Sequence, residues 1–232
     1  MNNYLENNLK EIRENIDAAK KKAGRVDDIL LLGVTKTFPV EIIEAGIPLG
    51  IRAVGENKAQ ELVAKYDIVG NRVSWHFIGH LQRNKVKYII DKVDLIHSVE
   101  SVSLAKEIGK RALQFGHNQK VLLEINISGE ETKFGLKRDD VVSFIEEAKK
   151  IPGLQISGLM TMAPHSDDTQ LVRGVFKGLR LLKEEIESLK IEGVSMDYLS
   201  MGMSHDYELA ILEGANIVRI GSLLYGKRDY TK

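Results

Sequence analysis

Apolar residues recur with a helical period at the start of the chain. The apolar positions of this first segment are Leu5, Leu9, Ile12, Ile16 and Ala19. They are three or four residues apart with charged residues between them, which predicts an amphipathic helix over residues 4–22. The lysines at 20–22 and the glycine at 24 suit the negative end of a helix and its stop.

After this helix, short apolar runs typical of buried strands alternate with longer segments of helical period. The strand-like runs lie near residues 29–35, 51–54, 74–78, 93–97, 120–127, 154–160, 195–199 and 216–220. The helix-like segments lie at about 39–46, 56–66, 82–90, 101–115, 138–150, 168–190 and 204–213. The pattern therefore predicts eight strands and seven intervening helices, with one more helix in front.

The strict alternation of strand and helix predicts an α/β fold with parallel strands and right-handed crossovers. Eight repeats in about 200 residues favour a closed (β/α)8 TIM barrel with an extra N-terminal helix. We expect residues 1–232 to form this one domain. A doubly wound open sheet is the alternative, because the number of strands does not by itself establish closure.

Composition limits the classes of partner. Of the 232 residues, 43% are hydrophobic, which suffices for one core. The 33 basic and 33 acidic residues give a formal net charge of zero, so no charge excess favours nucleic acid or an anionic membrane. Because the chain has no cysteine, disulfides, thiolate catalysis and cysteine-ligated metals are excluded.

The N-terminal segment does not resemble a targeting signal. It contains Glu6, Glu11 and Glu14 and lacks the apolar stretch of a signal peptide. Apolar runs of membrane-spanning length are also absent from the sequence. We therefore expect a cytoplasmic protein that has neither nucleic acid nor a membrane as its partner.

Lys36 stands at the polar end of the first strand-like run, shortly before Pro39. Proline ends a strand and suits the first turn of a helix. Partial desolvation at such a strand end favours the neutral amine, which is a nucleophile and forms Schiff bases with aldehydes. The alternative is a snorkelling lysine, whose stem packs on the strand while its ammonium stays in water.

Other chemically capable residues gather at the same ends of the predicted strands. The segments that end or follow the strands are Lys36, 55–57, 76–82, 97–98, Asn126, 160–162, 200–204 and 219–222. The opposite strand ends carry ordinary turns such as residues 151–153. Since barrel enzymes build their active sites at the C-terminal strand ends, the sequence predicts a site on that rim.

Residues 200–204 and the pair Gly221 and Ser222 suit a phosphate group. Barrel phosphate sites frequently use the loops after the seventh and eighth strands. The first segment has a flexible glycine and two hydroxyls, and Ser204 also suits the N-cap of the next helix. Gly221 permits close approach of the backbone to an anion. Either loop alone is better interpreted as a plain turn or cap, but the two together beside Lys36 predict a phosphate site.

Arg219 and the histidines leave alternatives open. Arg219 lies in an apolar run, where a charge needs a partner, so it pairs with a carboxylate or donates to a bound ligand. His76 and His80 are four residues apart, a spacing that suits a metal pair on a helix. The glycine and aliphatic residues between them indicate strand and loop instead, so we predict no metal site.

Several segments, in order from the first strand to the C-terminus, match the pattern of one protein family. They are residues 34–36, 55–57, 76–85, 158–162, 199–204 and 218–222. Together they resemble the pyridoxal phosphate homeostasis proteins. The resemblance implies a barrel similar to the N-terminal domain of alanine racemase, with pyridoxal 5′-phosphate (PLP) held as a lysine Schiff base. It also implies a role in intracellular PLP homeostasis, in which the protein buffers PLP and supplies it to other enzymes.

The resemblance also implies roles for individual residues. Lys36 would form the Schiff base with the cofactor aldehyde, Asn57 would lie against the pyridine ring, and Arg219 would approach the pyridine nitrogen. The phosphate region would be contacted by Met201, Ser204, Gly221 and Ser222. A permanently charged arginine disfavours protonation of the ring nitrogen, which makes the ring a weaker electron sink. Lys133 falls in a further matching block, with no role assigned to it.

The sequence leaves three functions open. We favour a monomeric PLP carrier without robust turnover, because racemases of this fold have a second, β-rich domain that we do not expect here. PLP-dependent apo-enzymes would be its transient clients. The first alternative is a PLP-dependent amino-acid racemase in which Tyr225 or His80 shuttles protons. The second is a Schiff-base aldolase or phosphosugar-binding barrel, because one fold hosts many chemistries.

Overall fold

Eight parallel strands form a closed barrel in the computed structural model, which describes residues 2–130 and 134–226. The strands are β1 (Leu30–Val34), β2 (Ala53–Glu56), β3 (Ser74–Phe77), β4 (Leu95–Val99), β5 (Gln119–Glu124), β6 (Leu154–Met160), β7 (Tyr198–Ser200) and β8 (Ile217–Ile220). They pair in chain order, and β1 closes the barrel on β8 where Leu30 pairs with Ile217. The predicted TIM barrel is therefore confirmed, and the open sheet is wrong.

Helices surround this barrel. They are α1 (Asn2–Lys22), α2 (Glu41–Gly46), α3 (Ala59–Val69), α4 (Val86–Ile89), α5 (Val102–Gln114), α6 (Val141–Ala148), α7 (Thr169–Ser188), α8 (Tyr207–Leu212) and α9 (Ser222–Tyr225). Three 3-10 turns lie at Gly70–Arg72, Arg83–Lys85 and Arg138–Asp140. The predicted N-terminal helix packs against α8 and α9. The sequence does not predict α9, because four residues are too few for a period to show.

The second strand lies two residues later than the sequence predicts. The apolar run suggests residues 51–54, whereas β2 continues to Glu56 and α3 begins only at Ala59. A carboxylate is tolerated in the ladder because Glu56 Oε1 accepts hydrogen bonds from Lys65 Nζ and Thr35 Oγ1, each at 2.6 Å. The next helix supplies the charge partner, which the strand pattern alone does not reveal.

The side chains inside the barrel form an apolar layer topped by polar groups. The apolar layer consists of Leu32, Ala53, Leu95, Leu122, Met160 and Ile217. Side chains of a strand alternate between its two faces, so His97 points inward with Leu95, and Arg219 with Ile217. A larger apolar cluster fills the space between the barrel and the helices. The side chains of His97 and Arg219 thus follow the apolar layer on the side of the C-terminal mouth.

Among residues 2–130 and 134–226, no helix combines the length and the apolar character needed to cross a membrane.

Candidate functional site

A cavity of about 250 Å³ opens at the C-terminal mouth of the barrel. Its lining includes five of the seven predicted binding residues: Lys36, Asn57, Arg219, Gly221 and Ser222. A larger cavity of about 420 Å³ lies at the opposite, N-terminal mouth, where barrel enzymes do not place their active sites. The structure therefore brings most of the predicted residues together on the expected rim.

Lys36 lies two residues beyond β1, partly buried, on a tightly held backbone. On one side, the carbonyl oxygen of Thr35 accepts a hydrogen bond from Lys65 Nζ at 2.8 Å. On the other, Thr37 has a left-handed φ of 67°, and its N–H donates to Glu61 Oε2 at 2.9 Å. A non-glycine residue in this region is strained and persists only where neighbours hold it. The backbone position of Lys36 is thus fixed from both sides.

Glu56 and Lys65 form a buried ion pair next to this segment, with Nζ and Oε1 2.6 Å apart. Burial raises the pKa of Glu56, even though the charge of Lys65 acts in the opposite direction. Desolvation therefore outweighs the attraction, as is common for buried pairs. The pair holds the ends of β1 and β2 together rather than adding much net stability.

Asn57 follows β2 and lines the cavity with an unsatisfied oxygen. Its Oδ1 is buried and has no hydrogen-bond partner within the described residues. A buried polar atom of this kind calls for a partner, such as a ligand or a water. Gly79 leaves the space that Asn57 occupies, because a Cβ at position 79 would lie 2.4 Å from the Asn57 carbonyl oxygen. This corner of the cavity is thus shaped to offer an amide to a ligand.

Arg219 presents a buried charge to the cavity and is only 5% exposed. Its Nη1 donates to Ser200 Oγ at 2.8 Å and its Nη2 to the carbonyl oxygen of Thr161 at 3.0 Å. Burial lowers the pKa of Arg219 to about 10, while the carboxylates of Asp206 and Glu124 raise it. The guanidinium therefore stays charged at neutral pH and is held by neutral oxygens, with donors left for a ligand.

Gly221 and Ser222 line the cavity where the chain turns into α9. The first N–H groups of a helix have no acceptor within the helix, so they bind a side chain or an anion instead. Ser204 is connected to the same turn, since its Oγ accepts the N–H of Leu223 at 3.3 Å. It does not cap α8, which starts after Asp206 instead, so the predicted capping role of Ser204 is wrong.

Two other residues of the predicted phosphate segment lie away from the cavity lining. Met201 is fully buried, with its side chain in the core. Its N–H donates to the carbonyl oxygen of Ile217 at 3.2 Å. Ser200 places its hydroxyl inside the barrel, between Arg219 and His97. The expectation that Ser200 offers a hydroxyl to phosphate is therefore wrong.

His76 and His80 point to different parts of the barrel. His76 Nδ1 lies 2.9 Å from His97 Nε2 in the interior. His80 Nδ1 lies 3.0 Å from Glu100 Oε1 at the rim, where its ring stacks on Phe134. In the part of the chain that the structure describes, no three potential ligands form a metal-binding group. The spacing of the two histidines in the sequence thus has no counterpart in a shared site.

Glu124, at the end of β5, is a cavity residue that the sequence pattern did not single out. It is 4% exposed and lines the cavity together with Arg219. Burial raises the pKa of Glu124 to about 7; the charge of Glu100 adds to this rise and that of Arg219 opposes it. The available signal is a charge at the end of an apolar run, the same signal that marks Lys36. Lys133, in the nearby sequence, lies outside the described residues.

Replacing Glu124 by glutamine is expected to stabilise the protein much more at pH 8 than at pH 5. The carboxyl binds its proton more tightly in the folded state, with a pKa of about 7 against 4.5. The free energy of unfolding therefore falls as the pH rises through this range. At pH 8 the raised pKa lowers the free energy of unfolding by about 3 kcal/mol. Glutamine does not ionise, so it avoids this loss. Urea unfolding at both pH values measures it, and an equal effect at pH 5 and pH 8 contradicts the assignment.

Comparison with known proteins gives consistent matches over nearly the whole chain. A family model described as the alanine racemase N-terminal domain matches residues 7–229. The pyridoxal phosphate homeostasis protein of Aquifex aeolicus is 44% identical over 224 residues, which cover 96% of this chain and 97% of that protein. All eight strands and the cavity lie within the matched region.

Solved structures also match nearly the whole chain. PipY from Synechococcus elongatus, solved with PLP bound, is similar with a TM-score of 0.83 and 28% identity, over 96% of this chain and 100% of PipY. An alanine racemase of Clostridium difficile is similar with a TM-score of 0.76 and 19% identity, over 99% of this chain and 58% of the racemase. The likeness to the racemase concerns the fold alone.

Proposed function

Because this chain belongs to the pyridoxal phosphate homeostasis protein family, we propose that it binds PLP in the C-terminal cavity and buffers it inside the cell. The observation that carries this proposal is the convergence of Lys36, Arg219 and Gly221 on one cavity of about 250 Å³. PLP needs three kinds of group: an amine for its aldehyde, a charged donor for its ring and a backbone turn for its phosphate. The name of the Aquifex relative and the PLP bound to PipY support the same ligand.

The cavity fits the cofactor on structural grounds as well. The buried Oδ1 of Asn57 has no hydrogen-bond partner among the described residues, which suits a site that a ligand completes. The cavity, at about 250 Å³, is slightly smaller than the usual ligand sites, which are roughly 300–1,000 Å³. A small aromatic phosphate matches that size better than a nucleotide does.

Each residue has a proposed task. PLP supplies an aldehyde that forms a Schiff base with an amine, and Lys36 would supply that amine. Gly221 and Ser222 would bind the phosphate with backbone N–H groups, and Ser204 would hold this turn in place. Arg219 would approach the pyridine nitrogen, where its charge opposes protonation of the ring. Asn57 would lie against the ring. The predicted contact of Met201 with the phosphate has no support in the structure, because its side chain is buried in the core and its N–H donates to Ile217.

We propose that the protein has no robust catalytic turnover. A racemase of this fold needs a second proton-transfer group, for which Tyr225 and His80 are the candidates. Burial raises the pKa of Tyr225, and its hydroxyl lies beside Gly33, where an added Cβ would be 2.3 Å away. His80 lines the cavity and is paired with Glu100, so it is the group whose proton transfer has to be tested. The buried position of Tyr225 supports a carrier, as do the relatives named as homeostasis proteins.

Exchange of the α-hydrogen of amino acids distinguishes a racemase from a carrier. A carrier loaded with PLP is expected to exchange this hydrogen in deuterated water far more slowly than ~1 per second, whereas enzymes typically turn over at ~1 per second or faster. Stereospecific exchange at the faster rate would favour the racemase and contradict our proposal.

The remaining features of the proposal follow from the sequence. We propose that residues 1–232 act as one domain, as a monomer, in the cytoplasm, with PLP-dependent apo-enzymes as transient clients. The balanced charge and the absence of cysteine support this location and the absence of nucleic acid as a partner. Size-exclusion chromatography tests the monomeric state. Transfer of PLP to an apo-aminotransferase tests whether such enzymes are clients.

Purified protein is expected to bind PLP in equilibrium dialysis and to acquire the visible absorbance of a lysine Schiff base. Ribose 5-phosphate, which shares the phosphate but lacks the pyridine ring, is the matched ligand and is expected to bind far more weakly. Retention of the sugar phosphate without PLP binding would select the aldolase or phosphosugar alternative and reject the proposed function.

A further inference from the structure

Four buried polar side chains form a continuous hydrogen-bonded chain inside the barrel. Arg219 Nη1 lies 2.8 Å from Ser200 Oγ, Ser200 Oγ lies 2.9 Å from His97 Nδ1, and His97 Nε2 lies 2.9 Å from His76 Nδ1. The four residues come from β8, β7, β4 and β3. The chain begins at the C-terminal cavity, which Arg219 lines, and ends at the N-terminal cavity, which His76 lines.

Both imidazoles of this chain are neutral near pH 7. His97 is fully buried and His76 is 5% exposed. Burial lowers the pKa of His76 to about 4, although the charge of Asp94 opposes this effect. Burial, with the charges of His76 and Arg219, places the pKa of His97 well below its usual range. Each ring therefore carries one N–H, so each has one donor and one acceptor nitrogen.

The chemistry of the groups sets the direction of the chain. An arginine only donates, so Ser200 Oγ accepts from Arg219. The hydroxyl hydrogen of Ser200 then needs an acceptor, and His97 Nδ1 at 2.9 Å provides one. With Nδ1 accepting, His97 carries its proton on Nε2 and donates it to Nδ1 of His76. The reverse direction would leave the Ser200 hydroxyl hydrogen unpaired in the interior, which is unfavourable.

We propose that Ser200, His97 and His76 are positioning residues, whose one-way chain from Arg219 to the N-terminal mouth holds the guanidinium at the cofactor cavity. The role toward the cofactor rests on the proposed function. Arg219 has two anchors, Ser200 and the Thr161 carbonyl, and only the Ser200 anchor is a side chain that can rotate. A hydroxyl that is itself held by His97 is a fixed acceptor. The histidines therefore determine where the positive charge stands relative to the ring nitrogen of a bound PLP.

The direction of the chain is tested on protein without PLP. Long-range nitrogen-15 correlation spectra of histidine-labelled protein are expected to show His97 and His76 both protonated at Nε2, without change between about pH 6 and pH 8. Resonances are assigned with His76→Gln and His97→Gln. Protonation of either ring at Nδ1 in this range overturns the proposal, whether or not the protein binds PLP.

The role toward the cofactor is tested with a matched pair of substitutions at position 97. His97→Leu keeps the volume and breaks both hydrogen bonds, and is expected to weaken PLP binding roughly tenfold and to shift the visible absorbance maximum. His97→Gln can accept from Ser200 and donate to His76, and is expected to recover most of the affinity. His117→Leu is the control for removing a histidine, because His117 lies at the same N-terminal mouth but is not one of the four hydrogen-bonded residues.

Combining His97→Leu with Arg219→Gln separates an effect through Arg219 from a purely structural effect of His97. If His97 acts through Arg219, His97→Leu has no further effect on PLP affinity in that background. The proposal is overturned if His97→Leu, folded by circular dichroism, keeps the parent affinity and spectrum, or if its effect persists undiminished in the Arg219→Gln protein. Failure of the parent protein to bind PLP rejects the proposed function and the cofactor role. The tautomers of His97 and His76 then still decide whether the one-way chain exists.

Discussion

Replacing Lys36 by alanine is expected to abolish the visible absorbance that PLP gives with the protein and to weaken PLP binding at least about a hundredfold, or about 2.7 kcal/mol. The substitution removes the amine that we propose for the Schiff base and leaves the phosphate and ring contacts in place. Thr35 and Thr37 keep their backbone contacts, so the fold is expected to persist. Absorbance spectra and equilibrium dialysis measure the two effects separately.

Lys58→Ala is the matched control for this substitution. Lys58 lies next to Asn57 in the sequence, but its side chain is 64% exposed and pairs with Glu61 at the surface. Its removal is expected to leave the spectrum and the affinity unchanged. If Lys36→Ala binds PLP with the absorbance of the parent protein, another amine holds the cofactor and the role of Lys36 is rejected.

Replacing Lys65 by methionine is expected to destabilise the protein by about 3 kcal/mol. Breaking a buried ion pair leaves the partner charge without compensation, which typically costs about 3–5 kcal/mol. Here the partner is Glu56, which is 0% exposed and already has one oxygen without a hydrogen bond among the described residues. The loss also frees the Thr35 carbonyl next to Lys36. Urea unfolding at pH 7 measures the change in the free energy of unfolding.

The double variant Glu56→Gln and Lys65→Met provides a check on this reason. With no buried charge left, it is expected to recover part of the stability lost in Lys65→Met. An exposed pair gives the second control: Lys106 and Glu147 lie 3.2 Å apart with exposed side chains, and Lys106→Met is expected to change stability by less than about 1 kcal/mol. Equal effects of Lys65→Met and Lys106→Met would contradict the role of burial.

The barrel and the position of Lys36 are predictable because both depend on local patterns. The alternation of strand and helix periods determines a βα repeat, and the polar end of the first run marks a C-terminal strand end. Closure of the barrel does not follow from local patterns, because the pairing of β1 with β8 joins residues near opposite ends of the chain. The bounds of β2 differ from the predicted ones because Glu56 is polar, and its partner Lys65 belongs to the next helix.

The interior polar chain shows what a single sequence does not reveal. His76 and His97 are 21 residues apart, and His97 and Ser200 are 103 apart, so their contacts follow only from barrel closure. The same separation explains why the motif suggests a phosphate loop for Ser200 although its hydroxyl points inward. Motif positions predict which rim is functional, whereas the face that each side chain occupies follows from the strand register.

We propose above all that Lys36 is the amine that binds PLP. Borohydride reduction of the PLP-loaded protein, followed by proteolysis and mass spectrometry of the peptides, tests it most directly. We expect one phosphopyridoxyl group per chain, located on Lys36. A group found on another lysine, or distributed over several lysines, would contradict it.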